Sequence, residues 1–253
     1  MSRKKRGNSS FILLLIILGM AATGAWWWLS RQKDPEFVRY EEFGIDMPVN
    51  YSVHGIDISK FQKEINWMAV KQMQVDDIRI SFAFLKATEG ISRQDATFKR
   101  NWDKARQAGL VRGAYHFFYS TRDPLKQAIN FRNVVELESG DLPPVLDIEV
   151  HNNQSPAVIR STAKIWLEEM EKVYGVKPII YTNIRFYEKY LGKEFDKYPL
   201  WIAHYYQKDR PRITRNWVFW QHSDIGRVNG IRTRVDFNVF KGDSAALAKL
   251  CLP

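Results

Sequence analysis

The sequence predicts an α/β protein: a single (β/α) barrel, regular in its first half and abbreviated in its second, preceded by an N-terminal transmembrane helix. Three observations carry this reading. Short β-rich apolar runs recur from His54 onward, amphipathic helical stretches separate several of them, and one long uncharged segment lies near the start. With 253 residues, 45% hydrophobic and 14% aromatic, the chain can bury one sizeable core.

The N-terminal elements come first. Residues 1–10 form a basic tail with Arg3, Lys4, Lys5 and Arg6, and residues 11–29, FILLLIILGMAATGAWWWL, carry no charge. About 20 apolar residues span a bilayer as a helix, so this segment suffices. Trp26, Trp27 and Trp28 sit where an aromatic belt meets headgroups, and the four leading positives outnumber Arg31 and Lys33 just beyond. The expectation is a single-pass signal-anchor with a cytoplasmic tail and everything after Leu29 outside. A cleaved signal peptide processed around Ala21–Ala25 is the alternative, and it would leave three tryptophans at the mature N-terminus. Residues 30–52 read as a polar juxtamembrane linker and 53–253 as the barrel domain.

The formal charge of +10 is unevenly placed. Six of the 38 basic residues precede Asp34 and none of the 28 acids does, so residues 34–253 carry only +4. They contain no long basic run with interleaved aromatics, which argues against nucleic acid as a partner. A mildly basic surface still suits an anionic polymer such as cell-wall glycan, or phospholipid headgroups. Cys251 is the single cysteine, which excludes a disulfide framework and any Cys-based zinc site.

The barrel runs are HGIDIS (54–59), IRISFAFLKA (78–87), RGAYHFF (112–118), PPVLDIE (143–149), KPIIYT (177–182), LWIAHY (200–205), VFWQHS (218–223) and VDFNVF (235–240). Helices are expected over 96–109, closed by Gly109, over 124–138, opened by Pro124, and over 155–175, with Ser155 as N-cap and Gly175 as stop. The segments joining the last three runs are too short for good helices.

In a (β/α) barrel the working site lies at the C-terminal ends of the strands. Asp57, Thr88–Glu89, Tyr115–His116, Asp147 with Glu149, Tyr181, His204–Tyr205 and Gln221–His222 all fall late in their runs or just past them. Asp236, early in the last run, is the exception. Converging carboxylates with Trp, Tyr and Gln make a kit for binding and cutting a sugar chain. Asp147 and Glu149 sharpen the point: residues i and i+2 of a strand share a face, about 6.6 Å apart along it at ~3.3 Å per residue. Like charges that close, on an apolar floor of Val145, Leu146 and Ile148, raise a carboxyl pKa. One protonated acid beside one carboxylate is what glycoside cleavage needs, and Glu149, longer and nearer the open end, is the expected general acid. An ion pair of one of these acids with Lys86 is the structural alternative. No His-x-His or carboxylate–His pair with ligand spacing accompanies the motif, so no metal and no cofactor is expected, although His116 and His204 could still reach the mouth.

HGIDISKFQKEINW, FAFLKATEG, AGLVRGAYHFF, LPPVLDIE, WIAHYY and FWQHSDIGRVNGI-x₃-VDFNVF together resemble the family 25 glycoside hydrolases, the Chalaropsis-type lysozymes, over residues 54–242. The resemblance implies a barrel of modified TIM type that cleaves the β-1,4 bond between N-acetylmuramic acid and N-acetylglucosamine in bacterial peptidoglycan. By that resemblance Glu149 is the general acid, Asp147 its partner carboxylate and Asp57 the first-strand acid of the site. Asp236 is the last-strand acid, Glu89 a further acid, and Tyr115, Tyr181, Trp201 and Gln221 shape the sugar subsites. Phe61 stands where many members carry Trp. Nucleophilic attack by Asp147, inversion, and assistance by the substrate's 2-acetamido group all remain open at this level, with assistance favoured. The implied setting is the outer face of a bacterial cytoplasmic membrane. The rival functions are a non-catalytic glycan-binding barrel and a metal-dependent esterase or deacetylase.

Overall fold

The computed structural model describes residues 16–20, 22–23 and 37–253. The basic tail and most of the expected transmembrane helix over 11–29 lie outside the described residues. Residues 16–20 and 22–23 are helical. Among the described residues no helix is long and apolar enough to cross a membrane. The chain divides into Met1–Glu36 and Phe37–Pro253, and the second unit is the globular domain.

The domain starts earlier than the sequence suggests. Residues 37–52, read as connector, open with an antiparallel hairpin, β1 (Phe37–Tyr40) with β2 (Ile45–Pro48). Phe43, Ile45 and Met47 are at most 3% exposed and join the core cluster outside the barrel wall. Four-residue strands are too short to show a period, which is why the stretch read as a linker.

Eight strands then close a barrel: β3 (Val53–Ile58), β4 (Ile78–Glu89), β5 (Val111–Phe117), β6 (Val145–Asp147), β7 (Ile179–Asn183), β8 (Leu200–Ala203), β9 (Phe219–Gly226) and β10 (Val235–Phe240). Neighbours from β3 through β9 run parallel, whereas β10 is antiparallel to both β9 and β3. Only eight residues join β9 to β10, and a parallel crossover needs a dozen or more.

Helices α1 (Trp67–Gln72), α2 (Phe98–Gln107), α3 (Pro124–Arg132), α4 (Pro156–Tyr174) and α5 (Ser244–Leu250) pack outside. Helix α4 has the expected ends: the Ser155 hydroxyl accepts from Val158 N–H, and Gly175 turns left-handed at φ 70°. Helix α3 stops at Arg132, short of the expected Glu138. Its continuation is drawn off by Asp141, which accepts from Glu138 N–H at 2.9 Å. The short α1 and α5 were not expected from periodicity and rest on side-chain caps from Asn66 and Asp243.

Two apolar clusters hold the structure together, one between the strands and the helices and one inside the barrel. The inner one is aromatic: Phe84 stacks on Trp201 at 4.2 Å and meets Phe219 at 5.0 Å. Gly55 and Gly113 make room for it, since a Cβ at either would lie 2.4–2.5 Å from the ring of Phe82 or Phe84. This filled interior is the floor on which the mouth residues stand.

Candidate active site

The antiparallel course of β10 explains the one residue out of place. Its start, not its end, lies at the mouth, so Asp236 pairs in register with Asp57 at the end of β3. Asp57 is the hub of a hydrogen-bonded floor. Gln221 Nε2 donates to its Oδ2 at 2.8 Å and Asn238 Nδ2 to the same oxygen at 2.7 Å. The Gln221 carbonyl oxygen in turn accepts from Tyr181 and Tyr205 hydroxyls at 2.8 and 2.7 Å, and Trp201 Nε1 donates to Asn238 Oδ1 at 2.7 Å. Asn238 was not among the expected residues. The signal was present: it stands at i+2 from Asp236 and therefore shares its face.

Burial raises every acid around this floor. Asp236 is pushed up to about 9 by desolvation, by the Asp57 charge and by their mutual hydrogen bond. Asp57 is raised by desolvation against the opposing pull of donors from Asn238, Gln221 and Asp236. Asp236 therefore holds a proton that it donates to Asp57. Asp147 is driven well above its usual range, first by desolvation and then by Glu149, with Lys86 opposing. Glu149 is raised by desolvation and then by Asp57. Asp147 is 5% exposed and its Oδ1 has no hydrogen-bond partner. Glu149 lies just past β6, held by the Ile148 N–H donating to Tyr181 O at 3.0 Å, and it lines an open cleft of about 720 Å³. The two carboxyls are thus neighbours, Asp147 the more deeply buried and Glu149 at the cleft wall, both raised by burial and by nearby carboxylates.

Glu89 stands apart in character. Lys86 Nζ, Tyr119 OH and Arg93 Nη1 donate to it at 2.8, 2.9 and 3.0 Å, and these partners outweigh burial to lower its pKa. The ion pair foreseen for Lys86 is therefore with Glu89, not with Asp147 or Glu149. Glu89, Arg93, Tyr119, Arg122 and Asn152 border a second cavity of about 410 Å³.

The remaining expected residues separate by strand alternation. Tyr181 is buried and Tyr115 half-buried at the mouth; desolvation pushes both phenols well above the usual range, helped by Asp57 and Asp147 at Tyr115 and by Tyr205 and Glu149 at Tyr181. Trp201, 2% exposed beneath Tyr181 at 4.5 Å, and Gln221, 2% exposed, shape the floor from below and offer no open face. His116 points outward: Thr88 Oγ1 lies 2.7 Å from its Nδ1, Gln127 Oε1 3.3 Å from its Nε2, and Trp166 stacks on the ring at 5.7 Å. His204 lines the cleft but its Nδ1 accepts from Arg212 N–H at 3.1 Å. Among the described residues no group of three His, Cys, Asp or Glu could hold a metal ion. Phe61 and Tyr206, 70% and 74% exposed, offer aromatic faces to solvent.

Two neighbouring carboxyls with raised pKa values, one deep and one at the wall of a cleft, suit proton donation to a leaving oxygen and stabilisation of developing positive charge. Residues 56–231 match the family described as glycosyl hydrolases family 25. Lysozyme M1 of Streptomyces globisporus is 35% identical over 214 residues, covering 78% of this chain and 71% of its own. The Escherichia coli K12 protein YegX is 45% identical over 202 residues, covering 80% and 74%. Among solved structures, a family 25 glycosyl hydrolase from Bacillus anthracis superposes with a TM-score of 0.74 at 28% identity, over 84% of this chain and 99% of that one. A family 25 lysozyme from Aspergillus fumigatus gives 0.70 at 29% identity, over 79% and 99%. Fold, site and sequence converge: the chain belongs to glycosyl hydrolase family 25 and is a glycoside hydrolase of the lysozyme type.

Proposed function

We propose that the protein is a membrane-tethered muramidase that cuts the β-1,4 bond between N-acetylmuramic acid and N-acetylglucosamine in peptidoglycan, with Glu149 as general acid and the 2-acetamido group of the substrate as nucleophile. The observation that carries the assignment is the unpartnered Oδ1 of Asp147 beside Glu149. An acetamido N–H donating to that oxygen favours the Asp147 carboxylate, and the proton it gives up suits Glu149 at the cleft wall. The acetamido oxygen then attacks the anomeric carbon as the bond to the leaving oxygen breaks, and Glu149 protonates that oxygen. Asp147 stabilises the positive oxazoline-like intermediate. Water, deprotonated by the Glu149 carboxylate, attacks the anomeric carbon and restores the acetamido group with retention.

Mass spectrometry of fragments from purified wall tests the bond, with reducing-end muramic acid expected. Glu149→Gln is expected to lose reducing-end release by 10²-fold or more, in line with ~10²–10⁴ for general acid catalysis. An inverted product by NMR would remove the acetamido route.

The uncharged segment 11–29 is the proposed anchor in a bacterial cytoplasmic membrane, with the barrel outside. Tethering keeps the enzyme at high effective concentration near an insoluble polymer. Protease added to spheroplasts should digest the barrel while the tail stays protected. A barrel released to the medium favours the cleaved signal.

A further inference from the structure

The hairpin that joins β9 to β10 separates two cavities outside the catalytic cleft. One, of about 950 Å³, lies between this hairpin, the loop after β3 and helices α1 and α2, and is lined by Lys63, Arg100, Lys104 and Arg232 with Glu64. The other, of about 360 Å³, has Arg227, Arg232 and Arg234 with Glu42. Six cations face two acids, an excess of +4 out of the +6 carried by residues 37–253. Most of the domain's net positive charge is therefore gathered here. Among the described residues only Arg100 of the six forms an ion pair, with Glu64 at 3.5 Å. The Thr233 hydroxyl, between the cavities, is buried without a partner.

The patch begins where the site ends. Gln62 lines the larger cavity and donates from Nε2 to Arg234 O at 3.0 Å. Arg234 is two residues before Asp236, and Gln62 is five after Asp57. A substituent leaving a sugar in the mouth on this side crosses one loop to reach the cations.

We propose that this patch binds the acidic peptide stem of the muramic acid seated in the cleft, so that the protein prefers peptide-bearing glycan to bare glycan. The proposal rests on the muramidase reading. A stem of four or five residues reaches roughly 13–18 Å at ~3.3–3.6 Å per residue, enough to cross the rim, and it carries several carboxylates along its length. Arginine forks match carboxylates in pairs. Recessed cavities suit a narrow peptide chain, whereas a lipid surface is flat and is met by protruding groups. Ile65, Trp67 and Ile231 line the larger cavity between the cations and suit the methyl groups of alanines in the stem.

The test uses the full chain in detergent micelles and the exposed double variant Arg232→Gln/Arg234→Gln. Hydrolysis is measured on intact glycan strands and on the same strands stripped of peptide by an amidase. Wild type should favour intact strands by about tenfold in kcat/KM at low salt, with the preference shrinking as salt screens it. The variant should lose the preference while its rate on stripped strands stays within twofold. A preference that persists in the variant, or an equal loss on both substrates, overturns the proposal. Calorimetry with the soluble stem peptide separates this from the muramidase reading. Peptide binding weakened by the double variant, with no strand cut, sinks the muramidase reading alone. Hydrolysis of stripped strands with no peptide binding overturns the patch alone. Charge-dependent binding to vesicles of anionic phospholipid, without response to peptide, overturns it in favour of a lipid surface.

Discussion

Asp236→Asn should make the protein more stable at neutral pH, and the gain should depend on pH. The folded carboxyl sits at about 9 against 3.8 for an unperturbed one. A group raised on folding gives its full stability below the unfolded pKa and loses it as pH rises through the folded one. At pH 7 the unfolded carboxyl is ionised and the folded one is protonated. The deficit is then up to ~4 kcal/mol, at about 1.4 kcal/mol per unit over the interval from 3.8 to 7. Partial exposure and relaxation reduce this to roughly 2–4 kcal/mol. Asparagine does not titrate, has the same shape, and its amide can donate to Asp57 where the acid proton did. For a domain of this size the gain corresponds to roughly 5–12 °C in Tm. Thermal melts of wild type and variant at pH 4.5, 6 and 7.5 measure it. The variant's advantage should be small at the lowest pH and largest at the highest. A shift that does not vary with pH, or destabilisation that grows with pH, would refute the reasoning that Asp236 is held protonated.

Other outcomes follow from single contacts. His222 has both ring nitrogens unpartnered among Trp220, Phe237 and Phe37, and burial pulls its pKa down to about 3. A depressed base is stabilising above 6.5 and loses that contribution as pH falls toward 3. His222→Phe should therefore retain up to ~3 kcal/mol more stability than wild type on going from pH 7 to 4.5, read from urea midpoints. Arg112, 2% exposed, is bidentate to Asp141 at 2.7 and 3.1 Å and donates to Trp102 O at 3.0 Å. Arg112→Met strands a buried carboxylate and should cost about 3–5 kcal/mol in a thermal or chemical melt. Glu89→Gln frees Lys86, whose charge already opposes the rise of Asp147 and Glu149. The pH–rate profile of Glu89→Gln should shift toward acid, and an alkaline shift would show that Lys86 does not act on these carboxyls.

The barrel was legible because each strand is an apolar run of the right length bounded by polar or turn residues, and all eight runs became strands. The carboxyl pair was legible for a simpler reason: i and i+2 on a strand share a face, and LPPVLDIEV leaves them no charged neighbour inside the run. The same rule would have found Asn238 from Asp236, and would have turned His116 and His222 outward from Tyr115 and Gln221. The direction of β10 was also within reach, since the connection after β9 is too short to recross the barrel. What alternation cannot supply is which partner a long side chain selects. Lys86 lies within reach of several acids and takes Glu89, because Arg93 and Tyr119 gather on the same carboxylate. The N-terminal hairpin was hidden for lack of length, its burial decided by the barrel wall it packs on rather than by its own pattern.

The donors that Asp57 accepts come from 164 and 181 residues away along the chain. They reach it across the seam where the last strand meets the first, and no earlier pairing brings them together. The working floor therefore does not exist in any partly formed barrel. This ties an assembled site to the final closing step. A chain stalled with β10 undocked carries the same acids without the floor that positions them. Damage to the seam should disarm the enzyme before it unfolds the rest.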